Sequence, residues 1–180
     1  MKPKNMAIAF GAIAVVAVGT YFIAGGGEET KPQSENAQNI KQLVQDYSAG
    51  SVAAQSASIT SEQLIVKDGN SKTLTYDLPQ DEFFLSIAPY IENTHPCEIH
   101  SLTGCQGEMA DKQFQLTVVD QEGNTVLDKS VQSQSNGFVD LWLPRNQTYE
   151  VTIEHDGKSA KSELSTFEGD NTCITTMQLG

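Results

Sequence analysis

Apolar residues recur along this chain in three different rhythms. Near the N-terminus they form a block: after Lys2 and Lys4, the stretch from Met6 to Ala24 carries no charge and is largely apolar. Wound as a helix at roughly 1.5 Å per residue, the block comes close to the thickness of a bilayer's hydrocarbon layer. It also fits a secretory signal, with the lysines as its positive end and Ala24-Gly25-Gly26 as a small-residue cleavage site. Residues 1–27 are therefore expected to be a signal peptide or membrane anchor, and residues 28–37 a polar linker. Either form of the segment places the remainder outside the cytoplasm, with any membrane association through this segment alone. No cysteine follows the block, so lipid attachment there is not expected.

The second rhythm is helical. Ile40, Leu43, Val44 and Tyr47 share one face of a helix that Gly50 ends. "EQLIVKDGNSKTLTYDLP" then holds two β-rich runs about Asp68-Gly69-Asn70, the pattern of a hairpin. "PQDEFFLSIAPYIENTH" predicts a second helix, with acids in its first turn, Phe83, Phe84, Ile87 and Tyr90 facing a core, and Pro89 ending or kinking it. From Lys112 onward the third rhythm takes over: six short alternating runs separated by Gly, Asn and Asp turns. The fold class expected is α+β. A helix-and-hairpin N-terminal domain spans 38–111, and an antiparallel β-sandwich of about six strands spans 112–180. Phe138, Leu141, Trp142 and Leu143 are expected in its core, and Asp140 and Arg145 in solvent.

Charge narrows the range of partners. All 23 acidic residues but only nine basic ones follow residue 27, a formal charge of −14 for the exported part. Nucleic acid is a poor partner for such a surface. About 150 residues remain after the N-terminal segment, enough for one domain or two small ones. The sequence holds no G-x-S-x-G, H-E-x-x-H or phosphate-cradling glycine loop, so nothing supports a hydrolase.

The chemistry concentrates in "HPCEIHSLTGCQGE", residues 95–108, which carries two of three cysteines and two of three histidines in the spacing H-x-C-x2-H-x4-C. The third cysteine is Cys173. Outside the cytoplasm thiols tend to pair, and an odd number cannot all pair within one chain. The simplest structural account is a Cys97–Cys105 disulfide closing a small loop, with Cys173 buried as a small apolar residue. The alternative is a metal. Thiolates with imidazoles suit Cu(I) and Zn(II), and the C-x2-C pairs common in zinc sites are absent. Cys97, Cys105 and Cys173 could close a Cu(I) site if the last strand runs beside the loop. His100 and His95 are accessory candidates, and Met109 and Met177 are thioethers better suited to filling gaps in packing. His155, in a turn, is expected to be exposed. Glu98 and Glu108 flank the cysteines and would disfavour thiolates without metal.

"NTHPCEIHSLTGCQGE", then "GFVDLWLPRNQTYEVTIEHDGKSA", then the terminal "NTCITTMQLG" resemble the CueP family of bacterial extracytoplasmic copper-resistance proteins, over roughly residues 36–180. The resemblance implies a protein that binds copper, chiefly Cu(I), through Cys97, Cys105 and Cys173, with His100 as an accessory group. It also implies a homodimer, reduction of Cu(II), and donation of copper to an extracytoplasmic Cu,Zn superoxide dismutase. Two other classes stand beside it: a secreted binding module that uses its cysteines as staples, and a thiol oxidoreductase. For the latter the C-x7-C spacing is a poor match to the usual C-x2-C.

Overall fold

Between Pro79 and Pro89 lies the segment on which the architecture turns, and it is a strand. The computed structural model describes residues 33–180 except Ser71. The expected signal or anchor at 1–27, and the start of the linker, lie outside the described residues. The described residues form one compact unit. Among the described residues no helix is long and apolar enough to cross a membrane.

Helix α1 (Gln33–Ser48) begins inside the stretch expected as linker. It buries Val44 and Tyr47 and half-buries Ile40 and Leu43, the face that its apolar spacing predicts. Gly50, in the left-handed region at φ +68°, ends it. Strands β1 (Ser56–Ile59), β2 (Gln63–Lys67) and β3 (Thr73–Asp77) form an antiparallel meander. The expected hairpin is present between β2 and β3, where the Asp68 carboxylate accepts the amides of Asn70 and Lys72. The helix packs on this sheet through Ala57, Ile59, Leu64 and Val66.

The expected second helix is instead strand β4 (Glu82–Ile87). Every residue from Phe83 to Ile87 is buried, so the segment is covered on both faces and shows no clean period. Its spacing imitates a helix only because neighbours belong to different cores. Phe83, Leu85 and Ile87 enter one cluster, while Phe84 enters the other beside α1. Prolines at both ends leave room for a strand and little more.

The next strand, β5 (His100–Ser101), joins the free edge of β1. All six segments expected as strands after residue 112 contain strand: β6 (Gln113–Asp120), β7 (Thr125–Gln132), β8 (Val139–Pro144), β9 (Thr148–His155), β10 (Lys158–Ser165) and the two-residue β11 (Cys173–Ile174). They do not form a six-stranded sandwich by themselves. Four make one antiparallel sheet in the order β10-β9-β6-β7, while β8 and β11 flank β4 in a separate sheet, β11-β4-β8. The main core lies between these two sheets, with Leu116 and Val151 from one meeting Leu85 and Leu141 from the other. Phe138, Leu141 and Leu143 are buried as expected, and Trp142 is half-buried with its ring edge on Phe84 at 5.3 Å.

Neither Asp140 nor Arg145 is a free solvated charge. The Arg145 guanidinium donates to the carbonyls of Glu82 at 2.8 Å and Pro79 at 3.3 Å, and also to that of Ser61, over the ring of Phe83. It ties β4 and β8 to the turn between β1 and β2. Replacing Arg145 by Ala leaves three carbonyls without their cationic donor and is expected to destabilise the protein by about 2–3 kcal/mol. Urea denaturation of Arg145→Ala and Arg145→Lys checks this, with Lys expected to recover less than half because it lacks the planar fork.

Candidate metal centre

The segment 95–108 is positioned by backbone pairing rather than by its own regular structure. Its middle pairs with β1 through Ile59↔His100 and Ser58↔Ser101. Leu102 donates its amide to the Ala57 carbonyl, and the Thr103 hydroxyl accepts the Ala57 amide. A turn follows, in which the amides of Gly104 and Cys105 both donate to the Ser101 carbonyl. Gly107 then runs against Gly137, at φ +81°, so closely that a Cβ on Gly137 would lie 2.5 Å from the Gly107 oxygen. Only glycine allows that approach. The Glu108 carboxylate accepts the amides of Ile91, Glu92 and Asn93, which hold its pKa below the usual carboxylate value. Its charge serves the loop's geometry, a role the sequence did not announce.

The last strand does run beside this loop. The amides of Thr172 and Cys173 both donate to the Glu98 carbonyl, at 3.0 and 3.1 Å. The Thr172 hydroxyl accepts the His100 amide and donates to the Ile59 carbonyl. On its other side β11 lies parallel to β4, with Cys173 opposite Ser86.

The three cysteines therefore meet. Cys97 and Cys173 form a disulfide with Cα atoms 5.6 Å apart, and Cys105 is the free thiol. The pairing differs from the local Cys97–Cys105 staple that proximity in sequence suggests, because β11 delivers Cys173 to the loop. Cys105 Sγ lies 3.6 Å from Cys97 Sγ and accepts the Ser101 amide. Cys173 is buried against Ala88 and Phe138, whereas Cys97 and Cys105 are half-buried at the rim. Two overlapping sets of ligand atoms lie within 4.8 Å of one another: His100, Cys105 and Cys173 inside, and His95, Cys97 and Cys105 outside.

His100 is wholly buried, its ring 4.5 Å from that of Phe138. Burial lowers its pKa to about 4; the Asp140 charge opposes this shift and the neighbouring His95 adds to it. The imidazole is neutral near pH 7. Nε2 lies 3.3 Å from the Ser86 hydroxyl, and Nδ1 has no hydrogen-bond partner. The Ser86 hydroxyl in turn donates to Asp140 Oδ1 at 2.6 Å. Ser48 and Gln134 donate to Asp140 Oδ2, each at 2.7 Å. Sequence reasoning missed Ser86 and Asp140: the first sits in a strand that reads as a helix, and the second alternates with apolar residues as a solvent-facing acid would.

The remaining candidates fall elsewhere. Met109 and Met177 are buried in the main core. His155 is half-buried rather than exposed, with Nδ1 2.7 Å from the Gln113 carbonyl and its ring against Phe114. Glu98 is exposed and enters the site only through its carbonyl.

A sequence model of the family described as periplasmic copper-binding protein CueP matches residues 38–178. The chain is also similar to the crystal structure of S.CueP, at 38% sequence identity and a TM-score of 0.73, over 82% of this chain and 96% of that one. Among curated proteins no match is found.

Two outcomes follow from this geometry. Thiol titration of the unreduced protein is expected to find one reactive group, Cys105, and peptide mapping to link Cys97 to Cys173. Burial of neutral His100 also couples folding to pH. Its folded pKa, about 4, lies below an unfolded value near 6.5, so between these the unfolded chain binds more protons. Its contribution is full above pH 6.5 and is lost as pH falls toward 4, on the order of 3 kcal/mol across the window. Urea midpoints of the oxidised, metal-free protein are expected to fall more steeply over that range than those of His100→Gln.

Proposed function

Because the chain belongs to the CueP family of periplasmic copper-binding proteins, we propose that it sequesters Cu(I) through Cys97, Cys105 and Cys173, with His100 as a further ligand. The observation that carries this reading is the convergence of all three sulfurs and the buried His100 imidazole, brought together from segments 76 residues apart in the sequence. Soft thiolates favour Cu(I), which accepts two or three such donors in a confined apolar setting. Phe138 and Ala88 supply that setting on the inner side.

The same thiols can reduce incoming Cu(II). Two thiolates, Cys97 and Cys173, give up one electron each to two Cu(II) ions, yielding two Cu(I) and the disulfide. His95, beside Cys97 and Cys105 at the half-buried rim, offers the nitrogen donor that Cu(II) prefers before electron transfer. Disulfide formation removes two of the three sulfur ligands, so the disulfide-bonded protein is a spent form that external thiols must reduce before it can hold Cu(I) again. Cys97 and Cys105 at the rim are accessible for transfer, and an extracytoplasmic Cu,Zn superoxide dismutase is the proposed recipient. In this reading the N-terminal segment exports or anchors the protein, which acts as a homodimer.

An anaerobic Cu(I) titration of the reduced protein against a chromophoric Cu(I) chelator tests the proposal. One tight equivalent is expected. Cys173→Ser is expected to weaken it by more than the roughly 10–100-fold that loss of an outer-shell partner costs. Failure of the wild type to compete would leave the cysteines as staples of a binding module.

A further inference from the structure

We propose that Ser86 and Asp140 are positioning residues that lock His100 in the tautomer protonated at Nε2, so that Nδ1 presents its lone pair to copper. This rests on the copper-site reading above and assigns the orientation of its imidazole to a hydrogen-bond relay outside the ligand set.

The direction of the relay follows from its donors. A carboxylate accepts only, and Asp140 has Oδ2 taken by Ser48 and Gln134, which leaves Oδ1 for Ser86. A serine hydroxyl has a single proton. At 2.6 Å that proton is committed to Asp140 Oδ1, so the Ser86 oxygen can only accept from the imidazole. The ring nitrogen facing Ser86 is Nε2, 3.3 Å away, which therefore carries the ring proton. In a neutral imidazole the other nitrogen, Nδ1, is then bare.

A second observation points to a ligand for that nitrogen. His100 is fully buried, yet Nδ1 has no hydrogen-bond partner, and a ring nitrogen lies within 4.8 Å of both Cys105 and Cys173 sulfurs. A buried lone pair without a partner is unfavourable, and coordination would satisfy it. The opposite tautomer would turn an N–H toward the ion and exclude nitrogen ligation.

The relay is built into the sheet. Ser86 and Asp140 face each other directly in the β4–β8 ladder, and the helix end supplies Ser48 as a brace. Partners of this kind hold a ligating histidine in one orientation and raise its basicity.

The test is a long-range proton–nitrogen correlation NMR experiment on 15N-histidine-labelled, reduced, copper-free protein, run beside a chelator-competition Cu(I) titration. Wild-type His100 is expected to show a protonated Nε2 and an unprotonated Nδ1. Ser86→Ala, with its fold checked by amide spectra, is expected to populate the other tautomer and bind Cu(I) roughly 10–100-fold more weakly. Tight Cu(I) binding with a protonated Nδ1 in the wild type would overturn the positioning role alone, as would unchanged affinity in Ser86→Ala. A wild type that does not compete for Cu(I) would overturn the copper reading and this role with it.

Discussion

Two amides of the C-terminal strand, those of Thr172 and Cys173, converge on the single carbonyl of Glu98, and through them the loop between His95 and Glu108, itself paired with β1, meets the last strand. Strand β11 has only two paired residues, too few to stand alone, and draws its support from β4 on one side and the cysteine loop on the other. The central strand is thus a shared wall. One face helps fill the main core, while Phe84 closes the helix-covered cluster and Ser86 faces the histidine.

This arrangement gives the proposed site a graded environment. Its inner side, Cys173 and His100, is buried, bounded by Phe138 and by paired strands. Its outer side, Cys97, Cys105 and His95, is half-open. A soft ion is held best where water is excluded, and it is exchanged most readily where a competing ligand can approach. The two requirements are met by different residues of one cluster.

The readable parts of the sequence were those governed by local rules. The helix over Ile40 to Tyr47, the Asp68 turn and the alternating runs after Lys112 each follow from periodicity and turn chemistry that act over a few residues. β4 was misread because it is buried on both faces, which erases the period that distinguishes strand from helix. Sheet membership was also hidden: nothing local tells β8 to leave its sequence neighbours for β4. The thiolates and imidazoles of the cluster pointed to Cu(I) or Zn(II), and the resemblance to CueP singled out copper. Sequence proximity favoured Cys97–Cys105 as the staple, whereas long-range pairing joins Cys97 to Cys173. Ser86 and Asp140 carried no signal, since a lone serine and a lone acid acquire meaning only once β4 and β8 lie side by side.

The Cys97–Cys173 link closes a ring across 76 positions, enclosing β5 through β10. In the chain-entropy picture a ring of that size restricts the unfolded ensemble by roughly 4–5 kcal/mol. Reduction opens the ring, and an ion gripped by both sulfurs would close it again without a sulfur–sulfur bond. Cargo and clasp would then be the same object, so delivery of the metal would loosen the carrier, and the emptied protein would be the form most exposed to proteolysis until oxidised or reloaded.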